Sequence, residues 1–477
     1  MRMWLTNLIL ILLLTAAPVA VARAQEPGRA AISRQSGAVR QAAAIRRSRQ
    51  PVEPASALST DAPRRFRSTL RAQEPEDPTS ILVPQAAPVV EPVPLTLAEL
   101  TRLAEENHPV LRRDSARIVA SEGEKLQAGL YPNPEFNTNN PEVFSGRNSS
   151  FNAGIMQEIV VKGKLRLNRA AATQGVRQTQ FAYVQDRFSL FTAVRSQFYT
   201  TLAAQRRVEI LTKLSTITAA SVKTAEQRVE AGIGERTEVL LLTIDYERVQ
   251  ADLQNAQRIL IGEREQLSAI VGMPGLVNGK VVGALTAAPP EFDEEILQQF
   301  VTTENALVRI AAIDVEKQRI LLQRAEAEPY PNITVGPSYN WGVAPGQDQF
   351  WLTFTFPIPS SNRNQGNIKA ARANIHQSVE DLGTVQLELL RRVADALSRH
   401  RGARIQAERY RTKIIPDSVE ALRLAKSGFD RGVFDFAAYL QAQRTVVETN
   451  IAYVGLLETV WTTAAELAGL LQLEHFP

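Results

Sequence analysis

The chain says one thing twice. Residues 291–472 replay residues 95–290 with a period of about 200. Glu304-Asn305-Ala306-Leu307 echoes Glu106-Asn107-His108-Pro109, and Tyr330-Pro331-Asn332 echoes Tyr131-Pro132-Asn133. Phe350 aligns with Phe151, and Ile368-Lys369-Ala370-Ala371 with Arg169-Ala170-Ala171-Ala172. The stripe Leu387, Leu390, Val393, Leu397 lies 199 positions after Phe188, Phe191, Val194, Phe198. Gly432 repeats Gly232, Leu440 repeats Leu240, and Ala468-Gly469-Leu470 repeats Val271-Gly272-Met273. Each half reads as a helix, a β hairpin, a very long helix, a tight turn and a return helix.

The second hairpin is the greasier. Ile333, Val335, Pro337, Tyr339 and Trp341 share one strand face; Thr334, Gly336, Ser338 and Asn340 share the other. In the next run Phe350, Leu352, Phe354 and Phe356 oppose Trp351, Thr353 and Thr355. Gly342, Pro345 and Gly346 join the runs as a turn. Each run is about 9–10 residues, the length a tilted strand needs to cross a bilayer. The apolar set is expected to face lipid. Thr334, Ser338, Asn340, Thr353 and Thr355 are expected to face a pore. The first hairpin, expected across 135–161, is more polar.

Residues 1–24 read as a secretory signal. Arg2 precedes an unbroken apolar run over 8–14, and Ala22-Arg23-Ala24 is a small-x-small cleavage site. Residues 25–94, rich in Ala, Pro, Arg and Gln, read as a disordered tail. That tail holds ten arginines against seven acids, so it explains much of the chain's +4 net charge. The basic excess is thus no sign of a nucleic-acid surface. No later stretch has ~20 consecutive apolar residues, which excludes a helical span. From Leu165 to about Glu230 there is no proline, and Phe181, Val184, Phe188, Phe191, Val194, Phe198 and Leu202 step by three or four. At 1.5 Å per residue that helix runs ~100 Å.

Four strands per chain are too few to close a barrel. An open sheet in lipid leaves backbone groups unpaired at several kcal/mol each. Closure needs several chains, and three give twelve strands. The fold expected is mainly α with a small β part: an internally duplicated chain whose very long helices, coiled-coil-like or set in a barrel, carry four transmembrane strands.

Chemistry is sparse. There is no cysteine, which excludes disulfides and thiolate metal sites. His108, His376, His400 and His475 are never three or four residues apart, so no metal-ligand pair shares a helix face. No phosphate-cradling glycine loop and no Gly-x-Ser-x-Gly elbow occur. Glu158 and Lys162 to Lys164 sit where a strand meets a helix, as rim charges. Neither an enzyme nor a cofactor is expected.

The order of elements resembles the outer-membrane efflux protein family, the TolC-like channels, across about residues 95–473. The short motifs carrying it are Asn107-His108-Pro109, Tyr131-Pro132-Asn133-Pro134, Gln157-Glu158 followed by Gly163-Lys164, and the paired glycine turns. The Tyr-Pro-Asn-Pro and Gly-Lys segments look most like the cobalt–zinc–cadmium resistance branch. The resemblance implies a homotrimer in outer-membrane lipid, in which each long α-helical barrel protomer gives its four strands to a trimeric 12-stranded β-barrel and extends into the periplasm. It also implies a periplasmic membrane-fusion adaptor and an inner-membrane RND-type pump as partners, with no nucleic acid.

The resemblance further matches the turn around Gly232 and Gly234, with Thr237 and Glu238, to a helical hairpin tip that forms the periplasmic gate and meets the adaptor. It matches the turn around Gly432, with Phe429, Phe434 and Asp435, to the second tip. Phe429 and Phe434 stand where relatives carry a hydroxyl-bearing ring and an arginine that latch the gate. Ala438 and Gln441 stand where relatives carry acidic residues. A gate closed by apolar packing of Phe429, Phe434 and Phe436 is therefore expected. Conduction of heavy-metal cations is the function expected. Drug export, type I protein secretion, or a secreted coiled-coil structural or adhesive protein are the alternatives.

Overall fold

Local chemistry sets the first elements. The computed structural model describes residues 95–139, 151–276, 280–341, 348–431 and 433–476. The expected signal peptide, the tail, the turn at 342–347 and Gly432 lie outside these residues. Thr96 caps α1 (Leu97–Asn107) by accepting from the Glu99 amide at 3.3 Å. His108 ends α1 and starts α2 (Pro109–Gln127), its Nδ1 accepting from the Val110 amide. Pro109 sits at the first position of α2, where its missing N–H costs nothing.

Strands β1 (Glu135–Asn139) and β2 (Phe151–Ile159) follow. Helix α3 (Lys164–Glu230) runs 67 residues unbroken, and α4 (Arg236–Val271) returns. Gly272, at φ +80°, closes α4 in the left-handed region. A β carbon there would press on the backbone of His108 at 3.2 Å, so this glycine also fits the α1–α2 break.

The second repeat gives α5 (Glu294–Thr303), α6 (Ala306–Ala327), β3 (Ile333–Trp341), β4 (Gln349–Thr355) and α7 (Gln365–Arg409). Here the expected single long helix needs correcting. A π turn (Tyr410–Ile414) interrupts it before α8 (Ile415–Asp430). Pro416, in the first turn of α8, has no N–H to give to the turn before it. Helix α9 (Phe436–Leu470) returns.

The hairpins of the two repeats merge into one antiparallel sheet, ordered β1-β2-β3-β4. Phe151 pairs with Trp341 and Ile159 with Ile333 across the seam between repeats. A second correction concerns Phe356. Pairing stops at Thr355, because Pro357 and Pro359 cannot donate to a ladder.

The main core gathers Leu100, Ala104, Val194, Phe198, Tyr199, Leu267, Val271 and Trp461 around the middle of α3. Tyr199 stacks on Trp461 at 4.5 Å, and the indole N–H donates to the Leu285 carbonyl at 2.8 Å. A second core joins Leu297, Val301, Leu389, Val393, Leu397 and Leu467. Helix α6 packs against both α3 and α7; its counterpart α2 packs against α3. The outer side of α2 and the turn after it leave Val119, Leu126, Leu130 and Tyr131 exposed.

Candidate functional site

Three places concentrate the sequence-flagged residues: the sheet faces, the sheet-to-helix junction and the hairpin tips.

The register sorts the sheet. Val335 faces Phe354, Tyr339 faces Phe350, and Pro337 faces Leu352. With Ile333, Trp341, Phe151, Ile155 and Phe136 they share one side of the sheet. Phe350, Leu352 and Phe354 are 71%, 53% and 59% exposed, so an apolar face stands uncovered in the protomer. Thr334 pairs with Thr355, Gly336 with Thr353 and Ser338 with Trp351. Asn340 pairs with Asn152 and Gly154 with Ser338, so all of these share the opposite side. Gly154 is required there: a β carbon would lie 2.6 Å from the Ser338 β carbon. A shallow hollow of about 350 Å³ on this side is lined by Asn137, Asn152, Met156, Asn340 and Thr353 among others.

The junction brings motifs of the two repeats together. Asn332, from Tyr330-Pro331-Asn332, donates to Glu158 Oε1 at 2.6 Å. Its Oδ1 accepts from the Lys164 ammonium at 3.1 Å and from the Val161 amide at 3.4 Å. Lys164 is 2% exposed and also lies 3.7 Å from Glu328. Lys162 places its ammonium 4.1 Å over the Tyr330 ring. Lys162 and Gly163 both take positive φ, which turns the chain sharply from β2 into α3. Glu158 and Lys164 were legible only as rim charges. Their partner, Asn332, lies more than 160 residues away in sequence.

At the tips, α3–α4 and α8–α9 pack side by side through Ala225, Leu242 and Leu440, with Val222, Val239 and Phe436 around them. Gly232, at φ +74°, permits the first turn. At Gly234 a β carbon would meet Arg228 at 3.0 Å. Glu238 accepts from Arg228 at 3.2 Å, and the same guanidinium sits 5.5 Å over the Phe429 ring. Phe429 stacks on Tyr439 at 5.8 Å and meets Phe436 edge-on at 5.6 Å.

The expected trio is thus altered. Phe434 folds back over Gly428 of its own hairpin, where any β carbon would lie 2.1 Å from its ring. Tyr439 and Arg228, neither flagged from the sequence, take its place in the cluster. Asp435 caps α9, accepting from the Ala438 amide at 3.0 Å. Thr237 lies exposed in the first turn of α4.

Among the described residues no group of three or more His, Asp or Glu side chains could hold a metal ion. No described helix is long and apolar enough to cross a membrane.

Known proteins bear on these features. The cobalt-zinc-cadmium resistance protein CzcC of Cupriavidus metallidurans is 26% identical over 380 residues, covering 79% of this chain and 90% of that protein. The solved structure of CusC superposes with a TM-score of 0.68 at 17% identity, over 79% of this chain and 91% of that one. VceC of Vibrio cholerae gives 0.67 at 16% identity, over 79% and 96%. The family model for outer membrane efflux proteins matches twice, over residues 101–273 and 299–471. The chain therefore belongs to the outer membrane efflux protein family, whose channels lie in the outer membrane, extend into the periplasm, form trimers and work with periplasmic adaptors and inner-membrane RND-type pumps.

Proposed function

We propose that this chain is the outer-membrane duct of a tripartite efflux system exporting heavy-metal cations. The observation that carries the duct is a four-stranded sheet, open at β1 and β4, mounted on helices ~100 Å long. Three copies close twelve strands, and every backbone group in lipid then finds a partner. In that ring the side bearing Ile333, Val335, Tyr339, Trp341, Phe350, Leu352 and Phe354 faces lipid. The side bearing Thr334, Ser338, Asn340, Thr353 and Thr355 faces the pore. The arrangement of α2 and α6 supports the same assembly. Helix α6 is covered on one side by α3 and on another by α7. The exposed side of α2 offers α7 of a neighbouring copy the equivalent seat.

The duct conducts passively. Its polar wall offers amides and hydroxyls, which let a hydrated ion pass without holding it. The pump chooses the cargo, and the tip cluster around Phe429 and Arg228 closes the periplasmic end. The metal assignment rests on the name and 26% identity of CzcC.

Metal tolerance tests the assignment. A strain lacking this chain but keeping its pump and adaptor is expected to become sensitive to cobalt, zinc and cadmium and to recover with the intact gene. Sensitivity to apolar drugs with unchanged metal tolerance would move the cargo to drugs. A purified protein that stays monomeric without detergent would remove the duct itself.

A further inference from the structure

The two repeats keep a constant offset along the long helices until one point. Val393 and Leu397 are buried 199 positions after Val194 and Phe198. Ser418 and Ala425 are buried 200 positions after Thr218 and Ala225. Thr412-Lys413 matches Thr212-Lys213, also at 200. One residue has therefore been added between 397 and 412, and the π turn Tyr410–Ile414 absorbs it. A π turn is what one extra residue makes of an α-helix when both flanking faces must keep their phase. The same stretch of α3 is regular helix.

Three further features lie at this level. None of the five π-turn residues is buried within the protomer, so the core of its own chain does not pin the turn. Helix α9 passes alongside it and carries Gly455, whose counterpart in the first repeat, on α4, is Asn255. A cavity of about 650 Å³ opens between α3 and α9, touching Leu202 and Gln205 on α3, Ile415 just past the turn, and Val454 and Leu457 flanking Gly455. Below it, α8 packs chiefly on α9, and α9 meets the first hairpin through the Arg444–Asp245 ion pair and the tip cluster, the contacts a swing must break.

We infer that the π turn Tyr410–Ile414, with Gly455 opposite, is the hinge on which the α8–α9 tip swings away from the α3–α4 tip. The weakened turn and the helical glycine let both strands of the hairpin bend at one height. The cavity gives the bend somewhere to go. The first hairpin has no π turn, carries Asn255 where Gly455 stands, and stays the fixed post. This inference rests on the duct reading.

The test is single-channel recording in planar bilayers. Deleting Arg411 together with Pro416→Ala restores a continuous α-helix without turning the face of α8. Gly455→Ala stiffens α9, and its new methyl meets nothing nearer than the Arg207 guanidinium at 3.7 Å, so it folds. Both are expected to assemble as the parent trimer and keep its open-state conductance. Open probability should fall roughly tenfold in the first. In the second it should fall ~2–5-fold, the helix-propensity difference between the two residues. Either assembled variant gating like the parent overturns the hinge and leaves the duct standing. If the deletion does not assemble, Gly455→Ala decides alone. A parent protein that forms no channel removes the duct and the hinge together.

Discussion

Arg444 on α9 grips Asp245 on α4 with both Nε and Nη2, at 2.9 and 2.6 Å from one carboxylate oxygen. Asp245 is 4% exposed, whereas the Arg444 side chain keeps 40%. Removing Arg444 strands a buried charge. Arg444→Ala is expected to cost about 3 kcal/mol, the low end for such a pair because solvent reaches the arginine. Replacing both residues by leucine should recover most of the loss. Thermal dissociation of the trimer on gels, compared across the parent and the two variants, is the measurement.

Asn332 holds three groups of the other repeat. Asn332→Ala leaves the buried Lys164 ammonium with Glu328 alone and frees Glu158. A loss of about 1–3 kcal/mol is expected, since one change takes a hydrogen bond from a buried charged donor and leaves two further partners unpaired. Asn332→Asp should be no milder, because it keeps the acceptor for Lys164 but sets a second carboxylate against Glu158 where an amide had donated at 2.6 Å. Thermal melts followed by circular dichroism would rank the two.

The two sheet sides differ in what they tolerate. Leu352→Arg puts a charge on the proposed lipid side at ~2–4 kcal/mol near the bilayer midplane. Thr353→Arg, one residue on, should assemble normally and change ion selectivity. Folding yield into vesicles, with reversal potentials for the survivor, reads both. Equal yields would show that the faces are assigned wrongly.

Tip packing separates two phenylalanines that look alike in sequence. Phe429→Ala removes the ring shared by Arg228, Tyr439 and Phe436 and should raise spontaneous opening. Phe434→Ala empties only its own turn over Gly428 and should leave opening unchanged. Closed-state dwell times in planar bilayers distinguish them.

His400 gives the helical domain a pH dependence. Burial between α7 and α9 pushes its imidazole below the usual histidine range, outweighing the Val460 carbonyl, and Arg404 and Arg401 act in the same direction. A depressed folded pKa means that the unfolded chain takes the proton first. Stability is therefore full above about pH 6.5 and falls as pH drops below it, by at most ~1.4 kcal/mol per unit. His400→Leu should flatten that limb of the melting curve between pH 6.5 and 5.

The strands were legible because a period of two admits one reading of faces once the turn is placed. The observed register joins the residues that alternation groups. Phe356 was overextended because the alternation continues past Thr355, while the ladder fails at the prolines. The unbroken α3 was legible from its stripe. The π turn was not, although Pro416 and the change of offset from 199 to 200 were both in the chain. Spacing shows that a residue was added but not how the backbone absorbs it. Asn332 and Arg228 were missed for a different reason. Their partners are distant in sequence or on another hairpin, and no local pattern announces such a bond.

The two bare rims of the sheet, β1 and β4, carry a genetic consequence. Every ring has as many seams as copies, and each seam needs a sound rim from two different chains. When intact and rim-damaged chains are made in equal amounts and mix at random, only about one ring in eight is free of a faulty copy. A lesion in either rim should therefore behave as a dominant trait, silencing most of the good protein made beside it.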